Sequence, residues 1–310
     1  MSEDLELPAG VGAPRVPRKG TSIQEFLGLY PDSEACLQHV FETRFGKDPP
    51  CPDCGNPTRW YRIRKTKKLV SNCCEGNSLH PLSGTIFSKT ALPLHKWFYA
   101  ILHFCNSSSG LTLSFVAEHL GISVKAATRM SDRIRHHLLL IDAGIGIGGP
   151  GRRVYIHETS LRGVHHREAR QRNDLRILAL SDDANFKILA INRGRFAASV
   201  PALLSAVEPG SILEFQDEET LRKVCSHKRR SHLGGMKLEL AKNRHDPVYC
   251  DMSVMLIAMK QFLMKSHLWI GEGFFDRYVA HFAFLYRRRH AGERIFHDAL
   301  ACFPRFAAAG

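Results

Sequence analysis

The sequence predicts an α+β protein of several domains, on three observations. A cysteine pair at metal-ligand spacing, Cys51 and Cys54, is followed by a second pair, Cys73 and Cys74. Helical periodicity then runs up to Gly121, breaks there and resumes. Beyond Gly151 the apolar pattern turns strand-like before helices return near the C-terminus. The expected order is therefore a cysteine ribbon, a helix-turn-helix and an α/β domain.

Composition bounds what such a chain can do. Its 310 residues are 44% hydrophobic and 24% charged, ordinary for a globular protein. The net charge of +13, from 43 Lys and Arg against 30 acids, favours a polyanionic partner. No segment approaches the ~18 uninterrupted apolar residues of a membrane span. The acidic, Pro/Gly-rich start lacks the basic head and apolar core of a signal peptide. These features predict a cytoplasmic protein (nucleoid-associated if bacterial), with residues 1–21 as a disordered leader. Nine cysteines, an odd number, argue against a disulfide framework.

Residues 22–90 read as a helical lead-in and a zinc ribbon. Ile23, Phe26, Leu27 and Tyr30 share one helical face, and Asp32-Ser33 is an N-cap signal for a second helix. Cys51-Pro-Asp-Cys54-Gly is a knuckle: two thiolates two residues apart, with Gly relaxing the turn so that both sulfurs face one ion. Cys73 and Cys74 complete a zinc site, although adjacent cysteines are irregular and His80 is an alternative fourth ligand. Between the pairs, Arg59 to Lys68 interleaves basic and aromatic residues, and Arg62, Arg64 and Lys65 are expected to meet a phosphate backbone.

Residues 91–143 read as the helix-turn-helix. Leu94 to Cys105 is apolar on nearly every face, as in a buried helix. After it, Leu113, Val116, Ala117 and Leu120 form one face, Gly121 turns, Ser123 caps, and Val124, Ala127 and Met130 resume the period. Lys125, Arg129 and Arg133 recur at four-residue intervals, an expected exposed stripe for DNA contact.

Residues 144–153, rich in glycine, read as a linker, and residues 154–310 as the α/β domain with C-terminal helices. Val154-Tyr155-Ile156 reads as a buried strand ending at His157-Glu158-Thr159, the chemistry-bearing end. Leu175–Leu180 and Phe186–Ile191 read as two more strands, Pro201–Val207 as a short helix, and Ile212–Phe215 as a strand ending in Gln216-Asp217-Glu218-Glu219. Met252–Met264 and Phe274–Arg289 are helical in period, so strands and helices form layers.

Four ordered blocks carry a resemblance: FETRFGKDPPCPDCG with SGTIFSKTALPLHKWFYAI, LGISVKAATRMSDRIR, HETSLRG, and FFDRYVAHFAFLYRRR. Over roughly residues 33–289 the chain resembles the zinc-ribbon DDE-type transposases of bacterial insertion sequences, relatives of the eukaryotic Merlin elements. The resemblance implies a ribonuclease-H-like catalytic domain. In it three acidic residues hold two Mg²⁺ or Mn²⁺ ions for in-line attack on a phosphodiester of double-stranded DNA, and the protein is expected as a homo-oligomer.

Aligned on Glu158-Thr159, the family's first Asp falls on His157. Neutral imidazole supplies no charge to offset two dications. The second acid is best met by Asp217, with Gln216 the result of a strict count; the third position falls on Ser253. Glu158 cannot replace His157 in a regular strand, because successive side chains point to opposite faces. The expected function is a transposase-family DNA-binding protein with a degenerate catalytic centre at His157, Glu158, Asp217 and Ser253. The alternative is a ribbon and helix-turn-helix transcription regulator whose C-terminal domain serves dimerisation.

Overall fold

Apolar periodicity becomes ten helices and two sheets in the computed structural model, which describes residues 20–62, 68–71, 73–74, 77–166, 174–190, 196–228, 235–243, 246–266, 269–270 and 274–303. The chain divides into two compact units. Among the described residues, one comprises 108–110 and 142–287, the other 20–107, 111–141 and 288–303. No described helix is long and apolar enough to cross a membrane.

The helical unit is organised around α3 (Leu94–Asn106), buried on most faces as its composition requires: Trp97, Phe98, Ile101, Leu102 and Phe104 are all enclosed. Helix α1 (Ile23–Leu29) starts at Ser22, whose side chain accepts from Glu25 N, and α2 (Ser33–Phe45) starts at Asp32, which accepts from Glu34 N and Ala35 N. Helix α2 packs on α3. Three short strands, β1 (Trp60–Arg62), β2 (Leu69–Ser71) and β3 (Ser78–Leu79), form an antiparallel sheet in the order β1-β2-β3. Helix α4 (Leu113–Leu120) ends at Gly121 in the left-handed conformation, and α5 (Val124–Asp142) follows with Ser123 Oγ accepting from Ala126 N at 3.2 Å.

The last described residues also belong to this unit, not to the α/β domain in which the sequence reading put them. Helix α10 (Arg294–Leu300) packs on α3, with Phe296 against Phe26 and Tyr30. His39 and His137 bond the carbonyls of Leu300 and Ala299 at its end. Thr21, expected in the leader, is buried and gives its hydroxyl to Glu293 O. Residues 1–19 lie outside the described residues.

The α/β unit carries a six-stranded sheet. Its order is β6 (Phe186–Ala190), β5 (Asp174–Ser181), β4 (Arg153–His166), β7 (Ile212–Phe215), β8 (Lys237–Leu240), with β9 (Trp269–Ile270) pairing the far end of β4. Strands β4, β5 and β6 are antiparallel neighbours, while β7 is parallel to β4 and β8 to β7. Val154, Ile156, Leu178, Leu180, Leu213 and Phe215 face α6 (Phe196–Ala206) and α7 (Glu218–Lys228), packing with Val200, Leu203 and Val224. The opposite face carries Tyr155, in edge contact with Tyr249 of α8 (Pro247–Ser266). Helix α9 (Phe275–Arg287) completes the unit.

Two expectations change here. Strand β4 does not end at His157-Glu158-Thr159 but continues to His166, because β5 pairs with it through Glu158↔Leu178, Thr159↔Ile177 and Leu161↔Leu175. Residues 144–153 are not a free linker. Ile147 is 1% exposed in the core, Gly148 N donates to Asp182 Oδ2 and Gly149 N to Ser211 Oγ, both at 2.8 Å. A Cβ on Gly148 (φ +83°) would lie 2.3 Å from Ser211 Oγ, so glycine there permits close approach to the sheet.

Candidate functional site

The strongest cluster of chemistry-bearing side chains is the cysteine group of the helical unit. Gly55 N donates to Cys51 O and Cys51 N to Asn56 O, both at 2.9 Å, and Gly55 takes φ +73°. This tight turn brings the sulfurs of Cys51 and Cys54 to the same side. The β2–β3 turn delivers Cys73 and Cys74, and the four Sγ atoms lie within 4.8 Å of one another. A tetrahedral ion with metal–sulfur bonds of ~2.3 Å sets sulfurs about 3.8 Å apart. Four soft thiolates in this arrangement could hold a metal ion. His80 is outside the group and has Ser78 Oγ 3.3 Å from its Nε2; adjacent Cys73 and Cys74 both take part.

The sulfurs differ in their readiness to ionise. The Asn56 backbone N–H, with the Cys73 and Cys51 thiols, draws Cys54 down to about 7. Hydrogen bonding to Cys54 pushes Cys73 up to about 12 and Cys74 to about 11. Cys51 is buried, and Asn77 Nδ2 donates to its sulfur at 3.0 Å, a partner that the sequence reading missed. The Asn-Ser that follows the cysteine pair was its only signal.

The expected DNA-contacting side chains divide. Lys125 and Arg129 are exposed on the first turns of α5. Arg133 leaves their stripe: its guanidinium donates to Ser88 O at 3.0 Å and lies over the Trp97 ring, and burial lowers its pKa. About two turns beyond Lys125, α5 meets α3: Arg133 lies over Trp97 and the buried Arg135 over Phe104. Arg62 is exposed and paired with Glu34 of α2. Arg64 and Lys65 lie outside the described residues. Trp60 turns inward, donating Nε1–H to Pro49 O at 2.8 Å.

The four expected catalytic positions lie in different surroundings. His157 alternates with Glu158 along β4 and so shares the face of Tyr155, toward α8. Glu158, on the α7 face, pairs with Arg176 and Lys223 and accepts the Thr220 hydroxyl at 3.0 Å. Asp217, the second residue after β7, caps α7: its Oδ1 accepts Thr220 N at 2.7 Å. Ser253 on α8 returns its hydroxyl to Tyr249 O at 2.9 Å. Among the described residues, His157, Glu158 and Asp217 belong to no group of three or more His, Cys, Asp or Glu ligand atoms close enough for one ion. The donor set therefore does not fit a pair of hard dications, which need several uncommitted carboxylates.

Asp182 and Asp251 are two further acids of the α/β unit. Asp182 accepts from Gly148, Ala184 and Asn185 N–H groups; burial alone raises its pKa, but these three bonds and Arg152 outweigh it and hold it below the usual value. Asp251 is exposed, two residues and about 200° of helix from Ser253. The sequence reading also missed α7 and Thr220, although Asp217-Glu218-Glu219-Thr220 after a strand is itself an N-cap signal with an acidic first turn. Comparison with protein-family models, curated proteins and solved structures returned no match.

Proposed function

We infer that the chain is a DNA-binding protein of zinc-ribbon transposase descent that has lost two-metal strand transfer. One observation carries the loss. Glu158 and Asp217, the two carboxylates among the expected catalytic positions, both bond Thr220 in the first turn of α7. DNA binding is supported by the net charge of +13 and by exposed Lys125 and Arg129 after the Gly121 turn of a helix-turn-helix. The cysteine cluster would hold structural Zn²⁺, fixing the hairpin beside α2. Ancestry in a ribonuclease-H-like domain is supported by three antiparallel strands continued by two parallel ones, with helices on both faces.

The test is a paired assay on supercoiled plasmid and on labelled duplex, with Mg²⁺ and with Mn²⁺. Salt-dependent binding without nicking is the expected outcome. Mg²⁺-dependent strand transfer, abolished by the cap-preserving Asp217→Asn, would overturn the reading. The regulator alternative gives the same two results, and the terminal inverted repeats of a mobile element in flanking DNA separate the two.

A further inference from the structure

Between β3 and α3 the chain makes a series of tight turns from His80 to Thr90. Ser83 N bonds His80 O, Thr85 N bonds Leu82 O, and Ser88 N bonds Thr85 O. Neighbouring helices clamp this run from two sides. Arg44 of α2 donates to the carbonyls of His80, Pro81 and Ser83, and Arg133 of α5 donates to Ser88 O. Lys89 holds φ +54°, a conformation that a lysine adopts only where its surroundings impose it.

These turns and Lys68, just before β2, line a cleft of about 340 Å³, the lower range of ligand pockets. Lys68, His80 and Lys89 line it together with Leu82, Ser83 and Ser88. None of its described lining residues is acidic. Lys68 and Lys89 have no carboxylate partner among the described residues. Lysines act as point charges toward phosphate, and hydroxyls supply the directional donors. A backbone clamped by two arginines needs little further ordering to bind.

We propose that this cleft binds a phosphate group, supplied by a DNA strand or by a small phosphorylated molecule. The DNA source rests on the function inferred above; the phosphate chemistry does not. Its volume exceeds that of the phosphate alone and leaves room for an attached sugar.

The variant that tests it is Lys68→Gln/Lys89→Gly, because glycine takes φ +54° without strain while the charge is removed. An unchanged melting temperature verifies its fold. The full chain is titrated with fluorescent duplex across salt concentrations, and separately with inorganic phosphate and a deoxynucleoside monophosphate. Loss of one phosphate contact should flatten the log–log salt dependence by about 0.9 and weaken duplex binding roughly eightfold at ~0.1 M salt. If duplex binding is unchanged but wild-type binding of the monophosphate is lost, the phosphate site stands and its source is a small molecule. If the wild type binds no duplex at all, the inferred function fails and the monophosphate titration alone decides the cleft. If the variant matches wild type toward both duplex and free phosphates, the proposal is overturned.

Discussion

Asp217 and Glu158 meet at one residue: Thr220 gives its backbone N–H to Asp217 at 2.7 Å and its hydroxyl to Glu158 at 3.0 Å. Two carboxylates at the expected catalytic edge thus start a helix and tie it to the sheet. Asp217→Ala should cost about 0.5–2 kcal/mol as a lost N-cap. Asp217→Asn should cost far less, since asparagine caps equally well. Chemical denaturation of the two variants checks this. Equal losses would assign the effect to charge instead.

Glu158 is 7% exposed and faces Arg176, itself 41% exposed, and Lys223. Glu158→Ala removes one acceptor of the Thr220 hydroxyl and one of two carboxylates beside Lys223, which keeps Glu219 at 2.9 Å, and the cations can regain water. The loss should therefore be about 2–3 kcal/mol, below the figure for a fully buried pair. A double-mutant cycle with Lys223→Ala measures the coupling.

Burial lowers His137 from 6.5 to about 4 and His136 adds to the depression, against the Nε2–H bond to Ala299 O, which raises it. The folded state thus takes up its proton less readily than the unfolded chain. This contributes stability that is complete above pH ~6.5 and is lost as pH falls toward 4, about 3 kcal/mol in all. Denaturation midpoints of wild type and His137→Gln, compared between pH 7 and 4.5, should converge as pH falls.

Elemental analysis should find about one zinc per chain, the stoichiometry of one four-thiolate site. Cys51→Ser/Cys54→Ser should abolish it. Cys74→Ser should lower zinc retention under a competing chelator, whereas His80→Ala should not. The reverse pattern would exchange the fourth ligand.

The basic residues of α5 should separate by role. Lys125→Ala/Arg129→Ala should reduce the salt slope of duplex binding by about two, one per phosphate contact. Arg133→Ala, which removes the bond to Ser88 O and the contact over Trp97, should lower thermal stability instead.

Elements with a strong local signature were legible. The Asp32 cap, the Gly121 turn and the Ser123 cap act within a few residues, and the strands at 186–190 and 212–215 carry their own apolar pattern. The rest depended on partners distant in sequence. Strand β4 runs past its polar cluster because β5 pairs with it, and Arg133 is turned inward by a loop 45 residues away. At the cysteine site, sequence spacing identified the four sulfurs but not Asn77. At the expected catalytic edge, residue type alone identified acids but could not tell that α7 would claim them.

The return of residues 288–303 to the helical unit has a consequence for biosynthesis. Thr21 and Glu293 are 272 positions apart, and His39 and Leu300 are 261 apart. A growing chain offers all of residues 142–287 before it offers α10. At ~5–20 residues per second, the α3 surface that receives Phe296 waits on the order of ten seconds or more after α5 is made. During that interval an apolar face stays open on the N-terminal half while the later half closes its own core. Truncation after Arg287 makes that interval permanent: the fragment should bind a hydrophobic dye and associate, and a synthetic 288–303 peptide supplied in trans should suppress both.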